Sequence, residues 1–207
     1  AGGTRETDDA EADDAETDDA ETDDAETGTP WTRATVPTDE PLRDVAVDGD
    51  RAYAVGTAGT LLVDDGDGWA AALTDGPDAR SNGLHGVATT AGDGVWIAGD
   101  GGAVARFDQS TGRHVSCGPP NDDTTNLAAV AACGPAGDET VIVADGSGRL
   151  RRGRYRDGEV AWDRPVTPGS GSSLCGVTFA TDATAYAVDT NQSVFRTTDG
   201  GESFDRI

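Results

Sequence analysis

An arginine-rich segment is the part of this sequence with the clearest capacity for chemistry. The run RLRRGRYR places a third of the fifteen arginines within eight residues, at Arg149, Arg151, Arg152, Arg154 and Arg156. Guanidinium groups bind carboxylates, phosphates and sulfates through paired N–H donors. On a strand, alternation would place Arg152, Arg154 and Arg156 on one face, with Arg151 and Tyr155 near the other. We favour pairing with acids of the chain itself over a patch that binds a partner.

A second candidate site consists of three aspartates in or beside short turns, Asp100, Asp145 and Asp189. If these turns lie side by side in the fold, the three carboxylates would supply the hard oxygen ligands that calcium prefers. Aspartate is also common in turns because its side chain accepts hydrogen bonds from its own backbone, and we favour this structural interpretation. His85 and His114 are isolated histidines. The sequence therefore predicts no cofactor, and no metal beyond this candidate cation site.

Three cysteines, Cys117, Cys133 and Cys175, lack the C-x-x-C spacing of zinc sites and redox pairs. In an exported protein, a disulfide between Cys117 and Cys133 would close a loop around residues 121–126, and Cys175 would be buried on its strand. The alternative is that all three are reduced.

These candidates lie on a fourfold repeat. The pattern L-x-x-V begins at Leu42, Leu84, Leu127 and Leu174, with successive leucines 42, 43 and 47 residues apart. Each copy then has a β-rich run, a short turn and a second run. The β-rich runs are AYAVG (52–56), VWIAG (95–99), VIVAD (141–145) and AYAVD (185–189). A period of about 40 to 50 residues is typical of four-stranded propeller blades, which need neighbours to bury their faces.

The predicted fold is therefore all-β, a small β-propeller of four four-stranded antiparallel blades, with five blades as the alternative. The blades would span residues 42–73, 84–116, 127–164 and 174–207. Residues 31–36 would add an extra closing strand, and we favour a closed ring. The linkers between blades are rich in Gly, Pro, Asn and Asp, as exposed loops are. We expect any ligand pocket where these linkers and the central turns meet, at the mouth of the tunnel.

The composition is strongly acidic. The 207 residues have a net charge of -24 and include neither lysine nor methionine. Dense surface carboxylates without lysine resemble proteins of salt-loving archaea, where inorganic cations screen the charge. At low salt the same carboxylates would oppose compaction. The alternative is an acidic protein from a high-GC organism. In either case, the negative field excludes nucleic acid as a partner.

Residues 1–30 form a separate segment, in which DDAE units recur every five residues and no large apolar side chain occurs. Repulsion between its acids predicts a disordered, solvated tether. The alternative is an acidic arm that captures a basic partner. No apolar stretch is long enough to span a membrane. An acidic spacer before a compact domain favours an exported, extracellular or cell-surface protein with an upstream lipid anchor. A cytoplasmic location is the alternative.

The last copy matches the pattern of a known family. The Asp-box S/T-x-D-x-G-x-T/S-W/F is matched by Thr197, Asp199, Gly201, Ser203 and Phe204. A partial match occurs at Asp64, Gly66 and Trp69. Residues 31–207 therefore resemble the BNR-repeat (Asp-box) propellers, which include photosystem II assembly and stability factors. The resemblance implies structural roles for these residues and a scaffold that helps a larger complex to form, with no active site carried over.

Two classes of function fit these features. The favoured one is a noncatalytic scaffold at the cell surface that binds a protein or a cell-envelope glycan through the loops of the propeller. The alternative is a sialidase-like or small-ligand-binding propeller with its site at the tunnel mouth. Sialidases need a tyrosine nucleophile, whereas Tyr53 and Tyr186 lie inside repeated strand runs. The sequence shows no credible nucleophile, base or metal cluster, so we expect no enzymatic activity.

Overall fold

Sixteen β-strands build the structure, a computed structural model that describes residues 32–78 and 80–207. Residues 35–207 form one compact unit. The strands are β1 Leu42–Asp48, β2 Arg51–Gly56, β3 Leu61–Asp64, β4 Trp69–Leu73, β5 Leu84–Thr89, β6 Gly94–Gly99, β7 Val104–Asp108, β8 Arg113–Ser116, β9 Leu127–Cys133, β10 Asp138–Asp145, β11 Leu150–Arg156, β12 Glu159–Trp162, β13 Leu174–Phe179, β14 Ala185–Asp189, β15 Val194–Thr197 and β16 Asp205–Arg206.

Four consecutive strands form each antiparallel sheet, in the order β1-β2-β3-β4 and its equivalents. We number these sheets blades 1 to 4 in chain order. The inner strand of every blade begins at the leucine of L-x-x-V, and the β-rich run forms the second strand. The predicted all-β propeller with four four-stranded blades is confirmed.

The second strands of blades 2 and 3 contain continuous apolar runs because both of their faces are covered. In β6, Val95 and Ile97 belong to the core shared with blade 1, whereas Trp96 and Ala98 belong to the core shared with blade 3. Alternation along a strand sends successive side chains to opposite faces. A blade between two neighbours therefore needs apolar residues at every position rather than at every second one.

Three hydrophobic cores join the four blades. The first lies between blades 1 and 2 and includes Tyr53 and Phe107. The second lies between blades 2 and 3 and contains the T-shaped pair Trp96 and Tyr155, whose ring centroids are 5.5 Å apart. The third lies between blades 3 and 4 and includes Phe195. The small side chains of each sheet are thus buried mainly against the next sheet.

The prediction of a closed ring is wrong for this structure. Neighbouring inner strands pack β1 on β5, β5 on β9 and β9 on β13, but no comparable core joins blade 4 to blade 1 among the described residues. Val45 of β1 is 61% exposed and Val194 of β15 is 38% exposed. Sequence similarity between copies predicts the same strands, but it does not bring the first and last blades together.

The expected closing strand is absent from the part of 31–36 that the structure describes, because residues 32–36 adopt no strand conformation. The fourth strand of blade 4 is instead β16, which pairs with β15. Trp31 and the predicted tether, residues 1–30, lie outside the described residues. Within residues 32–78 and 80–207, no helix is both long enough and apolar enough to cross a membrane.

Candidate interaction surface and axial cavity

The linkers and the central turns meet at one end of the blades, which we call the loop face. The amide of Thr57, in the turn after β2, donates to the carbonyl of Pro41 before β1 at 3.0 Å. The same contact recurs in blade 2, where the amide of Asp100 lies 2.8 Å from the carbonyl of Gly83. In each of these blades, the linker before the inner strand is therefore fastened to the turn between the second and third strands.

A cavity of about 500 Å³ lies between the inner strands of all four blades. The residue after each repeat leucine lines it, at Arg43, His85, Ala128 and Cys175. Deeper lining residues, such as Ala131, Val87 and Gly176, are mostly small or apolar. Because the repeat leucines lie at the loop-face end of the strands, the cavity has a polar rim at that face, and mostly small side chains line it further along the strands.

Two carboxylates organise this rim. Asp100 Oδ1 lies 2.8 Å from His85 Nε2. Asp44 lies on blade 1, and its Oδ2 accepts the amide of Val87 on blade 2 at 2.9 Å, so it ties two inner strands together. Arg43 is exposed and forms no ion pair among residues 32–78 and 80–207. Its guanidinium group is therefore available at the rim.

The arginine-rich segment forms β11, with the alternation that the sequence predicts. Arg151 and Tyr155 are buried, whereas Arg154 and Arg156 on the other face are about half exposed. Gly153 lies between Arg151 and Tyr155 on the buried face, under Trp162 of the neighbouring strand β12. One face of this strand is therefore core and the other faces solvent and blade 4.

A partly buried network of two arginines and two acids lies at the loop-face end of β11. Arg149 Nε and Arg151 Nη1 donate to Asp145 Oδ2 at 2.9 and 3.1 Å. Both arginines also pair with Asp123 in the linker before blade 3. A hydrogen bond from the hydroxyl of Thr125 lowers the pKa of Asp123 to about 2. The network therefore fixes a linker to the blade that follows it.

The remaining arginines of the segment pair with acids on the other face of β11. Arg152 Nε lies 2.6 Å from Asp163 Oδ2, and its Nη1 lies 3.0 Å from Glu202 Oε1 on blade 4. Arg154 Nη2 is 3.4 Å from the same Glu202 oxygen, and Arg156 pairs with Asp138. All five arginines thus have acidic partners within the chain. This geometry supports the structural interpretation over the partner-binding one, for which Arg154 and Arg156 are the accessible candidates.

The three turn aspartates do not form a joint cation site. Asp145 is fully buried against two arginines, and Asp189 Oδ1 accepts the amides of Asn191 and Ser193. Asp100 faces His85. Across the described ranges, no group of three or more acidic, histidine or cysteine side chains is placed to hold a metal ion. These contacts support the structural interpretation favoured from the sequence, since Asp145 and Asp189 cap their own turns and Asp100 is paired with His85.

The Asp-box side chains of blade 4 organise a tight turn. Asp199 Oδ1 accepts the hydroxyl of Thr197 at 2.6 Å and the amide of Glu202 at 2.8 Å, and Oδ2 accepts the hydroxyl of Ser203 at 2.6 Å. Burial alone would raise the pKa of Asp199, but the hydrogen bonds from Ser203 and Thr197 outweigh it and hold the pKa well below its usual range. In blade 1, Asp64 accepts the amides of Gly66 and Gly68 in the corresponding turn.

Sequence reasoning missed a buried ion pair between blades 2 and 3. Glu139 is fully buried, and its Oε1 accepts Arg106 Nε at 2.8 Å. Arg106 also lies over the ring of Tyr155, 5.2 Å from its centroid. The signal was the position of Glu139, two residues before the apolar run VIVA of β10, since a glutamate in a core strand needs a partner.

One cysteine differs from its predicted burial. All three are free thiols, and Cys175 is exposed at the cavity rather than buried. Cys175 occupies the position after the repeat leucine, which points to the axis in every blade. Burial raises the pKa of the Cys117 and Cys133 thiols to about 11.

Comparison with solved structures finds β-propellers. YCF48 from Cyanidioschyzon merolae matches with a TM-score of 0.60 at 16% sequence identity, over 87% of this chain and 63% of that one. A structure of YCF48 bound to D1 peptide matches at a TM-score of 0.50 and 12% identity, over 87% of this chain and 85% of that one. The WD40 β-propeller domain of Doa1 matches at a TM-score of 0.54 and 13% sequence identity, over 80% of this chain and 54% of that one.

No family model and no curated protein matches the sequence. The chain spans 63% of the YCF48 chain from Cyanidioschyzon merolae, which is less than two thirds of its length. At these sequence identities, structural similarity establishes the fold and not the function. The arrangement of the sixteen strands and the similar solved structures together show that this chain adopts the β-propeller fold.

Proposed function

We propose that this chain is a noncatalytic scaffold that binds a protein partner at the loop face, where the axial cavity opens. The observation that carries the proposal is the cavity itself, which has a polar rim at Arg43 and His85 and is lined by all four inner strands. An arrangement of this kind recognises a peptide segment by inserting it between the blades, with rim side chains setting its orientation. The net charge of -24 favours a partner with a basic surface, because complementary charge steers encounter.

The similarity to YCF48 bound to D1 peptide supports this proposal, since that propeller is seen with a peptide. The partner that this charge predicts is a basic protein segment. A cell-envelope glycan is the other class that the exposed loops would suit.

Two of the three tyrosines argue against the sialidase-like alternative. Tyr53 is fully buried in the first core, and Tyr155 is packed between Trp96 and Arg106. A tyrosine nucleophile must reach the sugar and contact a carboxylate. These two side chains are held within the sheets instead, so the proposal includes no enzymatic activity.

A small-ligand-binding propeller is the second candidate, because a cavity of about 500 Å³ lies within the range of small-molecule sites. Soaking or calorimetry with a panel of amino acids and monosaccharides would test it. Saturable heat that is lost in Ala128→Trp would favour this candidate over the scaffold.

The finer parts of the proposal concern family and habitat. We propose that the chain is a BNR-type (Asp-box) propeller from a salt-loving archaeon, exported to the cell surface with residues 1–30 as an acidic spacer. The turn around Asp199 supports the family, and the lysine-free acidic composition supports the habitat. The screening length between charges falls from roughly 30 Å at 0.01 M salt to roughly 3 Å at 1 M. Salt therefore weakens the repulsion between surface carboxylates, and stability should rise steeply with salt. A urea midpoint that does not change with potassium chloride would contradict the halophilic assignment.

The binding surface is tested with a matched pair of substitutions. Ala128→Trp fills the rim of the cavity, whereas Ala71→Trp adds the same bulk on the exposed outer strand β4. Wild-type protein and both variants are immobilised in molar salt, and captured proteins are identified by mass spectrometry. We expect a partner that Ala71→Trp retains and Ala128→Trp loses. A partner retained by both but lost on Arg154→Glu with Arg156→Glu would place the contact on β11 instead.

A further inference from the structure

Each blade has two faces that take part in different interfaces. We call the face toward the next blade along the chain the leading face, and the face toward the previous blade the trailing face. Blade 3, for example, presents its trailing face to blade 2 with Val141 and Val143 and its leading face to blade 4 with Ile142 and Ala144. Three times within the chain, a leading face packs on a trailing face.

Blade 4 has a leading face without a neighbour. The residue that begins the third strand is buried in the first three blades, at Leu61, Val104 and Leu150. Its equivalent Val194 is exposed, and so is the adjacent Val188, which pairs with it across β14 and β15. The apolar character of the position is retained, although the described residues provide nothing to cover it.

Blade 1 has a trailing face without a neighbour. The repeat leucine is buried at Leu84, Leu127 and Leu174, but Leu42 is 40% exposed. Val45 is exposed as well, whereas its equivalent Val87 is buried. Blade 1 therefore presents the same L-x-x-V surface that the other blades use to receive a leading face.

Charged side chains show the same incomplete pairing. The third residue of the third strand is an arginine in blades 2 and 3, and it reaches an acid of the next blade. Arg106 pairs with Glu139, and Arg152 pairs with Glu202. The equivalent in blade 4 is Arg196, which is exposed and has no ion pair within residues 32–78 and 80–207.

Blade 1 carries acids at the positions that would form an ion pair with Arg196. Glu139 stands two residues before the apolar run of β10, and Asp50 stands at the same distance before the run of β2. Glu202 lies in the turn after β15, and the turn after β3 holds Asp67. Both Asp50 and Asp67 are exposed. The trailing face of blade 1 thus has the negative charge that the leading face of blade 4 lacks.

We propose that the leading face of blade 4 binds the trailing face of blade 1 in a second copy of this chain. The two surfaces are complementary in apolar pattern and in charge, and they are the same kinds of surface that pack at three internal interfaces. Such a contact is head-to-tail, so a second equivalent junction closes a ring made of two chains. Because both copies are strongly acidic, the junction forms when salt screens their repulsion.

Sedimentation in molar potassium chloride tests the junction with single substitutions. Wild-type protein is expected at the mass of two chains. Val194→Glu on the leading face and Val45→Glu on the trailing face are each expected at the mass of one chain. Val115→Glu changes another exposed valine, on the outer strand β8 and away from both faces, and should leave the assembly intact. Circular dichroism confirms that each variant is folded.

Mixing distinguishes a head-to-tail contact from a symmetric one. Val45→Glu keeps a functional leading face and Val194→Glu keeps a functional trailing face, so their mixture should form one junction and sediment as two chains. Wild-type protein that stays monomeric at all concentrations would overturn the proposal, and so would a Val45→Glu variant that still dimerises. A Val45→Cys, Val194→Cys double variant in a Cys175→Ser background that cross-links within one chain would also overturn it.

Discussion

Arg106 of blade 2 reaches across the second core to Glu139 of blade 3, with 2.8 Å between Nε and Oε1 and the carboxylate fully buried. The other oxygen of Glu139 accepts the amide of Gly137 at 3.0 Å. A charge pair of this kind is stable only while both members are present, because either one alone would be a desolvated charge.

Glu139→Gln should therefore reduce the free energy of unfolding by about 3 to 5 kcal/mol. It leaves the buried Arg106 charge with only the weaker pair to the partly exposed Asp108, whose Oδ2 lies 3.5 Å from Arg106 Nη1. Urea denaturation at constant high salt measures the loss. The matched control is Asp138→Asn, next to it in sequence, which removes a half-exposed partner of Arg156 and should cost less than about 1 kcal/mol. Equal losses for the two variants would show that the pair is not shielded from water.

Stability should fall with acid between about pH 4 and about pH 2. The hydroxyl of Thr125 is the main cause that lowers the pKa of Asp123 from 3.8 to about 2, and that of Ser110 does the same for Asp108. A carboxyl whose pKa is lower in the folded state stabilises the fold above the unfolded pKa, and this contribution is lost as pH falls through the folded pKa.

The corresponding test is Thr125→Val, which should raise the pKa of Asp123 and flatten the acid dependence of the urea midpoint. The carboxyl titration is followed by NMR. Thr178→Val removes a hydroxyl at the cavity that contacts no carboxylate and should leave the titration of Asp123 unchanged. If Asp123 titrates equally in wild type and Thr125→Val, the hydrogen bond is not the cause.

Gly153→Ala should destabilise blade 3 by about 1 to 3 kcal/mol through overpacking. A Cβ atom on Gly153 would collide with Val160 and lie 2.8 Å from the ring of Trp162. Gly146→Ala is the matched control, because a Cβ atom there has no neighbour within 4 Å and the backbone does not require glycine. Thermal unfolding should leave the control within a few degrees of wild type, and a larger loss in the control would contradict the packing argument.

Cys175 should react first with iodoacetamide near neutral pH. The thiolate is the reactive form, and burial raises the pKa of Cys117 and Cys133 to about 11, whereas Cys175 is exposed at the axial cavity. Intact mass spectrometry should show one rapid addition in native protein and three after denaturation. Only one addition after denaturation without reductant would reveal a disulfide between the other two.

The strands were predictable because local patterns encode them. L-x-x-V followed by a β-rich run locates the first two strands of each blade, and alternation assigns Arg151 and Tyr155 to the buried face of β11. The gap between blade 4 and blade 1 was not predictable, because Leu42 and Val45 have the same pattern as Leu84 and Val87. Their exposure depends on where the other end of the chain lies, which is a tertiary property.

The candidate site was predictable only in part. The five arginines were recognised from composition, and ion pairing was the favoured interpretation, but their partners Asp123 and Glu202 are distant in sequence. Cys175 was expected to be buried, since cysteine usually is. Its position after the repeat leucine directs it to the axis, a direction that becomes evident only when the four inner strands are placed around one cavity.

The repeated leading and trailing faces have a consequence for how such a chain changes over generations. Internal duplication or deletion of one whole blade would still place a leading face against a trailing face at each new junction. The number of blades can therefore change by whole repeat units without redesign of the apolar core.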